Sequence, residues 1–277
     1  MKNISIKENN NILNYNDYRL SILITQSGLS YSIFNVAENK FVTLVSHCFV
    51  DKEKFIDEIK TFLINENINN KDFEKISILF ASNKVTIVPN SLFDPQEAEK
   101  IFQLNFELSE IEKVLISKLH KSENTVIFSI NKNLINLFDE IFYNYSIDSH
   151  SLPFIDNNFI KNKIGENNTS HSIFVQVFDE FIDILVFKDI KIQLYNTFKY
   201  KTSNDILYYI ISVLEQLKLS QEKTKLSFSG FIETDNLSVI NIKKFLNIVY
   251  FESLNTKFKY HYKLHEMAPH YYVNFLR

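Results

Sequence analysis

The feature that most constrains this chain occurs in it twice. "YRLSILIT" (18–25) is an apolar run that stops at Gln26-Ser27-Gly28, and a second run (29–35) begins at once. "FVTLVSHCF" (41–49) follows closely, and short turns between three such runs favour an antiparallel meander. Next, "DKEKFIDEIKTFLINE" (51–66) sets Phe55, Ile56, Ile59, Phe62 and Leu63 at helical spacing, with Asp51 placed to cap the start. "KISILFA" (75–81) is continuously apolar, as suits a strand buried on both faces. The same order returns later. "HSIFVQVF" (171–178), an Asp179-Glu180 turn, "FIDILVFK" (181–188) and "IKIQLYNTF" (190–198) read as strands, and "SNDILYYIISVLEQLKL" (203–219) reads as a helix. "TKLSFSG" (224–230) is again a strand. Architecture is repeated here, and residues are not.

A block of different texture interrupts the first half. "KVTIVP" (84–89) alternates like a strand, and "DPQEAEKIFQLNF" (94–106) has a cap, an early proline and a helical stripe. "KVLISKL" (113–119) and "NTVIFSI" (124–130) read as strands, and "NKNLINLFDEIFYNY" (131–145) as a helix. The expected organisation is a polar N-terminal arm (1–17), a first half (18–164) with a small α+β subdomain inserted at about 82–145, and a second half (165–277) that starts at the polar linker "GENNTS". "LHEMAPHYYVNFL" (264–276) is expected to add a terminal helix, and its aromatic residues either dock a partner or pack on their own domain.

Two copies of meander, helix and strand resemble the actin-like ATPase superfamily, a duplicated ribonuclease H-like α/β fold. The inserted block resembles the small subdomain of cell-division and pilus-assembly members. More narrowly, "YRLSILITQSGLSYSIF" near the start, "ASNKVTIVPNSLF" (81–93), "YNTFKYKTSNDILYYIISVLEQLKL" (195–219) and "LSFSG" (226–230) resemble DUF3822, an uncharacterised Bacteroidetes family. The resemblance spans roughly residues 18–275 and is carried by the set of motifs, not by any one of them.

The resemblance implies an ATP site between the halves, where a strand–turn–strand from each half wraps the phosphates. Such turns need small residues, so that backbone N–H groups can approach closely, and carboxylates that hold Mg²⁺ directly or through water. The candidate cleft turns here are Gln26-Ser27-Gly28, Asp179-Glu180 and Gly230. The first has Thr25 and Gln26 where the pattern has an acid, and Gly28 is expected to sit at positive φ in a plain hairpin. The second has acids, with Asp183 close behind, but no glycine, and Phe178 and Phe181 flank it. At the third, where a glycine pair is usual, bulky Phe231 follows Gly230, which is read as the end of a buried strand. Of three glycines in the chain, Gly28 and Gly230 fall at these turns and Gly165 in the linker.

Other constellations are weaker. His261 and His265 would share a helix face with Glu266 nearby, but Pro269 intervenes before His270, so no metal is expected. Adjacent strand residues point to opposite faces, so His47 and Cys48 are no nucleophile–base pair, and Cys48 is expected to be buried. One cysteine cannot make an internal disulfide, the start lacks a signal-peptide-like apolar stretch, and no run reaches membrane-span length; a cytoplasmic location is expected. A net charge of −3 with no basic stripe argues against nucleic acid. The expectation is a non-catalytic binding or scaffold module, a pseudo-ATPase with no cofactor and no catalytic residues, acting through a protein partner. The alternative is an atypical ATP-binding protein or phosphotransferase that uses ATP with Mg²⁺ in the cleft.

Overall fold

The structure, a computed structural model, describes residues 2–8, 15–68, 72–164 and 171–276. The first half begins with β1 (Ile4–Lys7), β2 (Tyr18–Ile24), β3 (Gly28–Asn35), β4 (Lys40–Cys48), α1 (Phe55–Asn65) and β5 (Lys75–Phe80). The inserted block holds β6 (Val85–Pro89), α2 (Ala98–Gln103), β7 (Glu112–Lys118) and β8 (Asn124–Asn131), whereas α3 (Lys132–Ile141), read from sequence as part of it, packs with α1 in the first half's core. Next come β9 (Ser146–Ser149) and α4 (Ser151–Ile164). The second half comprises β10 (His171–Val177), β11 (Phe181–Lys188), β12 (Lys191–Lys199), α5 (Ser203–Gln216), β13 (Lys225–Gly230), α6 (Leu237–Phe245) and β14 (Ile248–Phe251). A short β15 (Lys259–Tyr260) then pairs with β4.

The two large sheets share one strand order. The first runs β1-β4-β3-β2-β5-β9 and the second β12-β11-β10-β13-β14, so β4-β3-β2-β5-β9 corresponds strand for strand to the whole second sheet. In each, the hairpins are antiparallel and the strand after the helix returns parallel to the first strand. The inserted block forms its own sheet, ordered β6-β8-β7.

Period-two alternation divides the core. Leu20, Ile22 and Ile24 face α1 and α3, whereas Leu23 belongs to a separate cluster with Phe178 and Phe181 of the second half. Likewise Ile173, Val175 and Val177 face α5 and α6, whereas Phe174, Leu185 and Phe187 meet α4 and the small sheet. Both caps read from sequence form: Asp51 accepts from the Glu53 N–H at 3.0 Å and Asp94 from the Gln96 N–H at 2.9 Å.

Several expectations need correction. Residues 4–7, read as part of a polar arm, form β1, antiparallel to β4 with Ile6 buried. The expected terminal helix is two short 3₁₀ turns, 262–266 and 269–271, because Pro269 starts the second turn and cannot continue the first. Cys48 is half-buried rather than buried. The "GENNTS" linker, with Gly165, lies outside the described residues.

Candidate functional site

The three candidate turns converge where the halves meet. In the first, the Thr25 N–H donates to the Gly28 carbonyl at 2.9 Å and the Ser27 N–H to Thr25 Oγ1 at 3.2 Å. The buried Thr25 hydroxyl therefore holds the turn together from inside, and Gln26 is exposed. Gly28 is the first residue of β3, paired with Cys48. The expected positive φ is absent there: among the described residues, the glycine at positive φ is Gly230. A Thr–Ser side-chain turn closes this hairpin, so the left-handed region is not needed.

In the second turn the Phe178 N–H donates to the Phe181 carbonyl at 2.9 Å, and the two rings stack 4.8 Å apart, each almost fully buried. Tyr200 Oη donates to the Phe178 carbonyl at 2.6 Å; burial, assisted by Asp179, pushes this phenol up to about 12. The turn's carboxylates face the first half. Ser27 Oγ donates to Asp179 Oδ2, and Lys52 Nζ lies 2.5 Å from Glu180 Oε1. The lysine pair is exposed and contributes little. Asp183 is elsewhere, at 0% exposure on β11, where it bonds His150 Nε2 at 2.7 Å and the Tyr195 hydroxyl at 3.2 Å. His150 comes from the first half, so this buried pair ties the halves together.

At the third turn Gly230 has φ +84°, and a Cβ on it would fall 2.1 Å from the Val177 carbonyl oxygen. The Phe231 N–H donates to that same oxygen at 2.7 Å. The glycine therefore does more than end a strand. It permits a backbone-to-backbone approach that no side chain would allow.

The C-terminal segment runs through this region. Tyr272 Oη is 2.6 Å from Ser46 Oγ, which is 2.7 Å from Ser30 Oγ. Asn274 Nδ2 donates to Gln176 Oε1 at 3.1 Å and to Ser229 Oγ at 3.2 Å. Leu264, Tyr272, Phe275 and Leu276 are buried in one cluster with Leu23, Phe41, Leu44, Leu79, Phe178 and Phe181. The aromatic tail thus packs on its own chain, between the two sheets. Burial raises the Tyr272 phenol above its usual range, with the Ser46 and Ser30 hydrogen bonds opposing, so it stays neutral. Sequence reasoning missed Ser30, Ser46, His150, Gln176, Tyr195 and Asn274. All but His150 are polar residues inside an apolar run or tail, where the alternation of polar with apolar positions is the signal; His150 sits in the polar stretch Asp148-Ser149-His150-Ser151, which carries none.

The histidines of the tail are engaged separately. His261 caps its own 3₁₀ turn, His265 is exposed, and His270 donates to the Ile232 carbonyl at 2.7 Å. Among the described residues no group of three or more His, Cys, Asp or Glu side chains is placed to hold a metal.

The family model of DUF3822, a protein family of unknown function, matches residues 7–249. The chain belongs to the DUF3822 family. A Bacteroides thetaiotaomicron protein of unknown function with an actin-like ATPase fold superposes with a TM-score of 0.80 at 27% identity, over 86% of this chain and 91% of that one. The PilM–PilN type IV pilus biogenesis complex includes a chain that matches with a TM-score of 0.58 at 12% identity, over 92% of this chain and 96% of that one. No match is found among curated protein sequences. This DUF3822 chain therefore has the actin-like ATPase fold, as its doubled strand order implies. No helix among the described residues is long and apolar enough to cross a membrane.

Proposed function

We propose that this protein is a non-catalytic actin-like module that binds a protein partner, with its interdomain cleft closed by its own side chains. One observation carries the reading: the first turn bonds the second through Ser27 and Asp179, with Tyr272 and Asn274 lodged between the sheets beside them. A phosphate chain needs free main-chain N–H groups and small residues at these places. Here Ser27 holds the carboxylate that could approach Mg²⁺, and Phe178, Phe181 and Phe231 crowd the turns.

Magnitudes favour the same reading. Burying four large apolar tail side chains contributes roughly 6–12 kcal/mol before entropy costs. A micromolar ligand gains about 8 kcal/mol in total. A nucleotide that displaced the tail would lose most of its binding energy in doing so. The PilM relative was solved as a PilM–PilN complex, so a partner-binding role lies within the range of this fold. The single cysteine suits a reducing cytoplasmic setting.

The alternative is an atypical ATP-binding protein or phosphotransferase that uses the same cleft. Thermal melting separates the two. With about 5 mM ATP and Mg²⁺, the closed-cleft reading expects no Mg²⁺-dependent rise in melting temperature. A site with a Kd of about 50 μM would gain about 2.7 kcal/mol and shift visibly, and that result would overturn the proposal.

A further inference from the structure

A cavity of about 1150 Å³ lies away from the cleft turns, between the small sheet and the second half. One wall is β6 and the other is β12, and each is a terminal strand of its sheet. A terminal strand leaves one row of backbone N–H and C=O groups without a ladder partner. The two edges meet at one end, where Thr197 Oγ1 donates to the Asn83 carbonyl at 2.6 Å. Beyond that contact the groove opens between Ile87 and Pro89 on one side and residues 190–196 on the other, with Phe159 of α4 also lining it.

Its chemistry is mixed in a particular way. Ile87, Ile192 and Leu194 are only partly buried, and Ile190 is 50% exposed. Lys121 and Lys191 are exposed in the lining, and neither ammonium group takes part in an ion pair among the described residues. Glu123 is the one carboxylate among the lining residues. The rim therefore carries a local positive excess on a chain whose net charge is −3.

We propose that the groove between β6 and β12 takes an extended segment of a partner protein that alternates apolar and acidic residues, and that the segment adds as a strand to these open edges. This rests on the binding-module reading above. Strand addition draws affinity from main-chain hydrogen bonds and specificity from alternate side chains. Here the inward side chains would meet Ile87 and Ile192, which share one apolar cluster, and the outward ones Lys121 and Lys191. A second copy of this chain is a poorer occupant, because β12 itself begins and ends in lysine and would bring like charge to the rim. Nucleic acid is poorer still, since two lysines offset by Glu123 cannot match a phosphate chain. The β-bulge in β12 opposite Val186 and Phe187 bends the edge there and limits the added strand to about four to six residues.

The test uses the full chain and a fluorescein-labelled peptide of roughly seven residues, long enough to span β6, in which valine and glutamate alternate. Two control peptides carry lysine for glutamate or a central proline. Fluorescence anisotropy is expected to show binding of the acidic peptide and none of the proline peptide, which cannot complete the ladder. The double variant Lys121→Glu/Lys191→Glu is expected to weaken binding of the acidic peptide at least about tenfold and to gain affinity for the lysine peptide. Ile190→Asp is expected to weaken both. All three positions are exposed, so unchanged melting temperatures confirm that the variants fold. Failure of the acidic peptide to bind at about millimolar concentration overturns the proposal, as does binding indifferent to charge reversal. So does a concentration-dependent dimer that Ile190→Asp dissolves, which would make a second copy the occupant. A nucleotide-induced shift in melting would sink the closed-cleft reading yet leave the anisotropy result intact, so the two failures are distinguishable.

Discussion

At residue scale, Gly230 is the least replaceable position in the candidate site. Gly230→Ala would force a left-handed backbone on a residue with a Cβ and drive that Cβ into the Val177 carbonyl. We expect a loss of about 3 kcal/mol or more, read as a lower urea midpoint with an unchanged slope. The sequence marked Gly230 as a turn residue, but only its neighbour's backbone shows why glycine is required. Gly28 is the counterexample: it stands in an equally suggestive turn, and the Thr25 and Ser27 side chains do the closing. His270 makes a second residue-scale prediction. Burial holds its imidazole below the usual value of 6.5, against the opposing Ile232 hydrogen bond and Glu233 charge. The folded state therefore keeps it neutral while the unfolded chain takes up a proton as pH falls through about 6.5. The unfolded state then binds more protons, so stability is full above that pH and declines below it, toward the lower folded value. Urea titrations at about pH 7.5 and pH 5.5 should show this decline, and His270→Gln should reduce it. His171, held low by burial and by Lys188, contributes with the same sign and leaves a remainder.

At element scale, α4 and the C-terminal segment explain what the sequence concealed. A helix is read from a stripe, and α4 has none: residues 151–156 are all buried, because small-sheet and second-half residues both pack against it. Pro153 sits in its first turn, where a missing N–H costs nothing, yet in sequence it reads as a breaker. The C-terminal segment fails the same reading for the opposite reason. It has the aromatics of a helix face but docks through side chains, with only two residues of strand and two 3₁₀ turns. Its worth can be measured directly. Tyr272→Phe removes the hydroxyl that meets Ser46 and should cost about 1 kcal/mol. Tyr272→Ala also empties a packed site and should cost about 4 kcal/mol. Equal effects in chemical denaturation would mean that the tail does not fill the space between the sheets.

At the scale of the whole molecule, the halves are held by apolar packing around Phe178 and Phe181 and by buried polar contacts, Ser46 with Tyr272 and His150 with Asp183. Removing one partner strands the other without compensation, so Asp183→Ala should cost about 3 kcal/mol, and calorimetry is expected to show a lower melting temperature. If the halves then melt in two separate transitions, the pair also carries their cooperativity. Although β9, α4, α6 and β14 escaped it, the sequence by itself determined the repeated run of meander, helix and strand, the strands of the block between the copies and the positions of the three turns. These follow from local periodicity, which hydrophobic burial imposes on every strand and helix that faces a core. Only the tertiary structure decided how the turns meet, that Ser27 reaches Asp179, that the tail lies between the sheets and that β6 and β12 leave two edges facing one groove. Those contacts join residues far apart in the chain, Ser27 with Asp179 and Tyr272 with Ser46 among them, and nothing in the local order of side chains encodes which distant groups will close upon each other.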